Sequence, residues 1–183
     1  MGYYLDPERT AEAFTDDGYL RTGDKAIADG DGYYSITGRI KDIFKTAKGK
    51  YVTPAPIEAK LMENSVIEQV CVTGAGLPQP IALLVLSEEA QEQSKNQITA
   101  SLQQTLNKIN GGMESHQRLD HLVVMAEPWT IENDLLTPTL KVKRHVLEER
   151  FPEVIHQAVP LSQIGRRANG TSYVLLRMRN RFF

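Results

Sequence analysis

The sequence lacks most features of an exported, membrane-spanning or nucleic-acid-coating protein. It has one cysteine in 183 residues, Cys71, so no disulfide can form within the chain and a reducing compartment is expected. No apolar run approaches the ~18 residues of a membrane-spanning helix, and the N-terminus lacks the apolar core of a signal peptide. The formal net charge of -2 does not indicate a polyanionic partner such as nucleic acid. These absences predict a cytoplasmic globular protein.

Common catalytic spacings are missing as well. The sequence has no GxSxG elbow of the kind that serine hydrolases use, and no GxxxxGK[ST] phosphate loop. Cys71 lies in the apolar alternation VIEQVCVTG, which favours a buried, unreactive thiol over a nucleophile. The histidines do not have metal-ligand spacing, so we predict no metal site; they are His116, His121, His145 and His156.

Periodicity and turn signals predict a mixed α and β chain. Asp6 before Pro7 predicts a helix cap, and DGDG at 29–32 predicts a tight turn between two strands of a β-ribbon. The later segments predict, in order, a helix in PAPIEAKLMEN, strands in VIEQVCVTG and PIALLVLS, a long helix over 88–110, a short helix in MESHQRL, a strand in DHLVVMAE and a closing helix in KRHVLEERF. We therefore expect an α+β fold in which helices flank a two- to three-stranded sheet, preceded by the ribbon.

Composition divides the chain into four parts. Residues 1–38 hold the first helix and the ribbon, and the sequence becomes rich in lysine near 39–42, where we place a domain boundary. Residues 43–159 form the predicted α+β domain. Residues 160–183 hold a basic segment, GRRANGTSYVLLRMRNRFF, without a clear helix or strand period. We interpret this last part as a disordered tail or a non-native extension.

Three sites carry residues that could act on a phosphate or a sugar. Asp24 in TGD could accept hydrogen bonds from both hydroxyls of a ribose, or be a solvated turn residue. Arg39 lies at the end of the adjoining strand, where it could contact the same diol or pair with Asp42 on the surface. Lys141 in TPTLKVKRH lies on a predicted loop before the last helix, where it could meet a phosphate or remain a solvated charge.

A fourth candidate is the lysine-rich segment FKTAKGKYVTPAPIE, which starts at Phe44. Its lysines are too many for a buried strand, so it is either a solvated face or a surface that meets a polyanionic substrate in another domain.

Three segments in fixed order resemble the AMP-forming adenylating enzymes, which include acyl-CoA synthetases, peptide-synthetase adenylation domains and firefly luciferase. They are GYYLDPERTAEAFTDDGYLRTGD, YYSITGRIKDIFKTAKGKYVTPAPIE and LTPTLKVKR. The last two are most similar to long-chain fatty acyl-CoA synthetases. The resemblance covers roughly residues 2–155.

The resemblance implies a role for each candidate. Asp24 matches the ribose-binding aspartate, and Arg39 matches the arginine that helps to hold the nucleotide hydroxyls. Lys141 matches the lysine that contacts the acyl carboxylate and the α-phosphate during adenylation. The hinge position falls on Lys41 with Asp42 directly after it, and the strand that faces the active site during thioester formation has Lys45, Lys48 and Gly49.

The resemblance also implies substrates and a missing partner domain. The parent enzyme would use ATP, Mg²⁺, a fatty acid and CoA through a large N-terminal domain, of which residues 1–38 resemble only the last segment. We expect no tightly bound cofactor, and no ligase activity, from this chain alone. Peripheral membrane association of the parent and self-association through the exposed N-terminal segment remain open. The alternatives are a non-catalytic anion- or partner-binding module, and an acyl-AMP ligase domain that serves a carrier protein.

Overall fold

The computed structural model describes residues 2–156 and 173–176, the latter as backbone alone. The first helix, α1, spans Pro7–Ala13, and the Asp6 carboxylate caps it by accepting from the Arg9 amide at 2.9 Å. Strands β1 (Asp24–Ala28) and β2 (Tyr34–Arg39) pair antiparallel, as the sequence predicts. Their connecting turn is held by the Asp29 carboxylate, which accepts from two backbone amides further along the turn.

A short link joins the ribbon to the rest of the chain. Residues Ile40–Asp42 form a single 3₁₀ turn, followed by a hairpin of β3 (Phe44–Lys45) and β4 (Tyr51–Val52). Helix α2 (Pro54–Leu61) starts immediately after this hairpin with proline at its first position, where no backbone donor is needed.

The central sheet has the strand order β5-β6-β7-β8. Strands β5 (Ile67–Thr73) and β6 (Ile81–Leu86) are antiparallel, and β7 (Leu122–Met125) runs parallel to β6. The sequence predicts these three strands correctly. A fourth strand, β8 (Tyr173–Leu176), pairs antiparallel with β7. This strand lies in the segment 160–183, for which the sequence shows no clear strand period, and it gives the sheet one strand more than the predicted two or three. The remainder of 160–183 lies outside the described residues, and its interpretation as a disordered tail or a non-native extension stays a prediction.

The predicted long helix over 88–110 is two helices, α3 (Glu88–Gln91) and α4 (Lys95–Gly111). Ser94 starts the second helix with a capping box. Its hydroxyl accepts from the Gln97 amide, and the Gln97 side chain accepts from the Ser94 amide at 3.0 Å. This reciprocal cap satisfies two backbone donors at the break, which the apolar spacing alone does not reveal.

The segment MESHQRL forms turns rather than the predicted short helix. The Asn110 side chain binds both the amide and the carbonyl of Leu119, each at 2.9 Å. These hydrogen bonds close the connection as a compact loop and hold Leu119 in the core. The chain then continues to the closing helices α5 (Arg144–Arg150) and α6 (Pro152–His156).

Two apolar clusters pack on the central sheet. Helices α2 and α4 contribute Leu61, Leu102 and Leu106 to one cluster, whereas Trp129 and Leu147 belong to the other. Among the described residues, none before Phe44 belongs to either cluster. The overall result is a small α+β domain with short sheets flanked by helices, as the sequence predicts.

The N-terminal segment leaves large apolar side chains exposed. As the sequence predicts, they include Tyr19, Leu20, Tyr33 and Tyr34, whose exposed fractions are between 58% and 77%. In the part of the chain that the structure describes, no helix combines the length and apolar character needed to cross a bilayer.

Candidate functional site

Asp24 and Arg39 form an ion pair across the ribbon. They are register partners, with Asp24 at the start of β1 and Arg39 at the end of β2, and Arg39 Nε lies 3.0 Å from Asp24 Oδ1. The predicted surface alternative, a pair between Arg39 and Asp42, is not the pair that forms. The Asp24 side chain is 24% exposed and that of Arg39 is 60% exposed. Both groups therefore remain accessible to a ligand from solvent.

The pair combines an acceptor and a set of donors at one point. Arg39 engages only Oδ1 of the carboxylate, so Oδ2 can accept from a hydroxyl group. A guanidinium has five N–H donors, of which the contact with Asp24 uses the one on Nε. This arrangement can bind a neighbouring pair of hydroxyls, the chemistry that a ribose diol presents.

Lys141 lies on a tight turn with its side chain exposed. The Thr137 amide donates to the Lys141 carbonyl at 2.8 Å, and the Lys141 amide donates to Thr137 Oγ1 at 3.0 Å. Leu140, directly before the lysine, has a φ of +58°. The turn thus holds the Lys141 backbone from both sides and leaves its side chain in solvent, where the ammonium group can reach an anion.

The base of this turn is fixed to the domain. An isolated antiparallel bridge joins Leu136 to Val142, and the Lys143 amide donates to the Leu135 carbonyl at 2.9 Å. The Lys143 ammonium forms an ion pair with Asp134, which lowers the pKa of that carboxyl group below its usual value. The turn is therefore a two-stranded projection rather than a free loop.

The predicted lysine-rich face is the β3–β4 hairpin. The Thr46 amide donates to the Lys50 carbonyl at 2.9 Å and so closes the turn, in which Gly49 has a φ of +77°. Lys45 and Lys48 are exposed on it, and the Lys45 ammonium lies 5.7 Å from the ring centre of Tyr51. The hairpin presents a cationic surface whose backbone is fixed.

The predicted hinge residues lie between the ribbon and this hairpin. Lys41 and Asp42 belong to the 3₁₀ turn, with Lys41 exposed and Asp42 half-buried. The turn starts where the Ile40 amide donates to the Gly23 carbonyl at 2.9 Å, next to Asp24. The hinge position and the Asp24–Arg39 pair are therefore direct neighbours.

Comparison with known proteins identifies the family. Residues 41–160 match the model of the AMP-binding enzyme C-terminal domain. The chain belongs to this family. It is 37% identical over 168 residues to long-chain-fatty-acid–CoA ligase 5 of Mus musculus, covering 82% of this chain and 25% of the mouse protein. The chain thus spans about a quarter of the length of this curated relative.

Solved adenylation domains share the fold. The adenylation domain of the carboxylate reductase from Mycobacterium chelonae matches with a TM-score of 0.73 and 29% identity over 84% of this chain and 25% of its own. The A-PCP didomain of carboxylic acid reductase from Segniliparus rugosus, in complex with AMP, matches with a TM-score of 0.71 and 28% identity over 84% of this chain and 22% of its own. The α+β fold is that of the C-terminal domain of adenylating enzymes.

The described residues of this family member do not form a metal site. Within residues 2–156, no group of three or more histidine, cysteine, aspartate or glutamate side chains is placed to hold a metal ion. Mg²⁺ requires oxygen ligands in near-octahedral arrangement, so these residues do not supply a complete site for it.

Arg144, three positions after Lys141, is a residue to which the sequence analysis assigns no role. Its side chain is only 17% exposed and pairs with Glu58 at 2.8 Å. It also donates to the carbonyl of Val72. These partners precede it by 86 and 72 residues, so no local signal in the sequence could reveal the contacts.

Proposed function

We propose that this AMP-binding enzyme C-terminal domain is the mobile domain of an ATP-dependent long-chain fatty acid:CoA ligase. The observation that carries the proposal is Lys141, an exposed lysine on a backbone-fixed turn in a chain of this family. The similarity to a long-chain-fatty-acid–CoA ligase supports the substrate class. The parent protein would act in the cytoplasm.

In the proposed first half-reaction, Lys141 acts on the forming acyl-adenylate. The fatty carboxylate attacks the α-phosphorus of ATP and pyrophosphate leaves, so negative charge crowds around the phosphorus. A positioned ammonium can neutralise that charge and orient the carboxylate without covalent chemistry. Asp24 and Arg39 would hold the ribose hydroxyls of the same nucleotide, and Mg²⁺ bound with ATP would neutralise phosphate charge.

In the proposed second half-reaction, the domain turns about Lys41 and Asp42 and presents its hairpin. The CoA thiol attacks the acyl carbonyl and AMP leaves, while Lys45, Lys48 and Gly49 face CoA. The small domain has two cationic surfaces, the Lys141 turn and the hairpin. They would thus face the same site in alternation, one in each half-reaction. The similarity to an A-PCP didomain supports an alternative acceptor in place of CoA, the thiol of a carrier protein.

Half-reaction kinetics of Lys141→Ala in the full-length ligase test the proposal. We expect acyl-adenylate formation from ATP and palmitate to fall roughly 100-fold or more, because one charge-stabilising group is lost at the transition state. Thioester formation from preformed palmitoyl-adenylate should stay close to that of the unmodified enzyme.

Lys95→Ala is the matched control, since Lys95 is an exposed lysine at the start of α4, a different element. It should leave both steps unchanged. Equal loss of the two steps in Lys141→Ala would contradict the assigned role. No loss in either would favour a non-catalytic module that binds an anion or a partner.

A further inference from the structure

We propose that Arg144 is a positioning residue for Lys141, because its guanidinium, held between α2 and β5, fixes the base of the turn that carries the lysine. This inference rests on the proposed function for its catalytic consequence. Its structural part, the anchoring of the turn, stands on the contacts of the chain alone.

The guanidinium joins two elements that are distant in sequence. Nη2 donates to Glu58 Oε1 in α2 at 2.8 Å, and Nη1 donates to the Val72 carbonyl in β5. The same Glu58 oxygen accepts from the Val72 amide at 2.8 Å. Arg144 therefore completes a closed set of hydrogen bonds that links its guanidinium, the Glu58 carboxylate and the Val72 backbone.

Only two residues, Val142 and Lys143, separate Arg144 from Lys141. Of these, Val142 pairs with Leu136, and the Lys143 amide donates to the Leu135 carbonyl. A shift of Arg144 must therefore be passed to the two-stranded base of the turn. Because so few residues lie between them, Lys141 has little freedom to remain in place if Arg144 moves.

Burial distinguishes this anchor from the other ion pair at the turn. The Arg144 and Glu58 side chains are 17% and 20% exposed, whereas in the other pair Lys143 is 25% exposed and Asp134 is 64% exposed. Solvent screens an exposed pair, so the Lys143 pair contributes little, but removal of one partner from a buried pair leaves an uncompensated charge. The Arg144–Glu58 pair thus contributes more than the Lys143–Asp134 pair to holding the turn against the domain.

The surroundings of Arg144 keep it charged. Burial acts to lower the pKa of Arg144, but the charge of Glu58, its hydrogen bond to the guanidinium and the charge of Asp42 oppose burial, and the pKa of Arg144 lies above its usual value. A lysine would supply one ammonium group in place of the planar guanidinium group, and it could not donate to Glu58 and Val72 in the same geometry. Lysine could therefore replace arginine only in part.

Amide hydrogen exchange on the chain tests the anchoring directly. The Thr137 and Lys141 amides are the reporters, since both donate within the turn. Arg144→Met should accelerate their exchange roughly tenfold, because the turn opens locally without global unfolding. The double variant Arg144→Met with Glu58→Met should do the same while the sheet amides of β6 keep their protection, since removal of both partners together leaves no uncompensated buried charge.

Lys108→Met is the control for the loss of an ion pair. Lys108 in α4 pairs at 3.3 Å with Glu63, which lies in the turn after α2, and both side chains are largely exposed. Exchange at Thr137 and Lys141 should not change in this variant. Unchanged turn exchange in the folded double variant would overturn the proposal.

Half-reaction kinetics in the full-length ligase test the catalytic consequence. The double variant should lose roughly 10- to 100-fold in kcat for adenylation with little change in the KM for ATP, because a displacement of about 1 Å has this effect on a catalytic group. Arg144→Lys should retain an intermediate rate, and thioester formation from preformed acyl-adenylate should be unaffected. Adenylation at the unmodified rate would overturn this part.

The two proposals fail in different ways. If Lys141→Ala leaves adenylation intact, the proposed function fails, whatever Arg144 does. If Lys141→Ala abolishes adenylation but the double variant is fully active, only the positioning role of Arg144 is wrong.

Discussion

The thiol of Cys71 is 1% exposed and lies 3.2 Å from the Arg144 guanidinium. Burial raises its pKa to about 12, and the positive charge of Arg144 only partly opposes that effect. The structure thus confirms the predicted burial of Cys71. A thiol that stays protonated at neutral pH is a poor nucleophile, which supports the prediction that it is unreactive.

The raised pKa predicts a stability change at alkaline pH. The thiol of the unfolded chain ionises near its ordinary value of 9.0, whereas that of the folded chain does so near 12. Its contribution to stability is therefore fully present below pH 9 and is lost as pH rises towards 12. Urea unfolding between pH 9 and 11 should show a steeper fall for the unmodified chain than for Cys71→Ala, by at most about 1.4 kcal/mol per pH unit. Parallel pH profiles for the two chains would refute this.

For individual residues, the sequence predicts a contact partner only when that partner is close along the chain or is placed opposite by a hairpin. Asp24 and Arg39 could be placed together because the turn between their strands sets the register. The burial of Arg144 could not be predicted, since it depends on how α2 and β5 pack.

At the scale of elements, the start of α4 depends on one short motif. Ser94 and Gln97 have the spacing of a capping box, and their reciprocal hydrogen bonds mark the break between α3 and α4. The apolar spacing correctly predicts a helix through Leu102, Leu106 and Ile109, but it does not define where that helix starts. The capping box defines the start, and its spacing is visible in the sequence.

Replacement of the cap should weaken the domain measurably. Ser94→Ala removes the acceptor for the Gln97 amide, so we expect the free energy of unfolding to fall by about 1 kcal/mol. Chemical denaturation with an unchanged m-value would measure it.

The matched control is Ser115→Ala, which changes an exposed serine in a turn outside any helix. Its effect should stay within about 0.5 kcal/mol. A loss of equal size in both variants would show that the capping box does not stabilise α4.

Other elements are beyond the reach of local sequence patterns. MESHQRL has helix-forming residues, but Asn110 binds both backbone groups of Leu119 and thereby selects turns. Strand β8 depends on pairing with β7, which lies far earlier in the chain. Tertiary hydrogen bonds decide both cases, and a window of neighbouring residues does not contain them.

At the scale of the whole molecule, the chain holds the candidate lysines but spans about a quarter of its mouse relative. We expect the 183-residue chain alone to release no pyrophosphate from ATP and palmitate above background, because it matches only about a quarter of the length of that relative. The full-length parent, which we propose to be the ligase, is the positive control in a parallel assay. Robust turnover by the chain alone would contradict this expectation, and it would also contradict the proposal that the chain acts as the mobile domain of a larger enzyme.

The exposed apolar side chains of the N-terminal segment also matter at this scale. Tyr33 and Tyr34 extend from a two-stranded ribbon, a structure that is marginally stable without further packing. We propose that the rest of the parent protein covers this surface, and that in its absence copies of the chain associate through it.

Strand β6 links the two sides of the domain. Its alternate side chains enter opposite clusters, with Ala82 and Leu84 in one and Leu83 and Val85 in the other. Loss of either layer would therefore expose one face of the same strand and remove the support of its neighbours. The domain should unfold as one cooperative unit, so that a half-unfolded form, with one cluster intact, is not significantly populated at equilibrium.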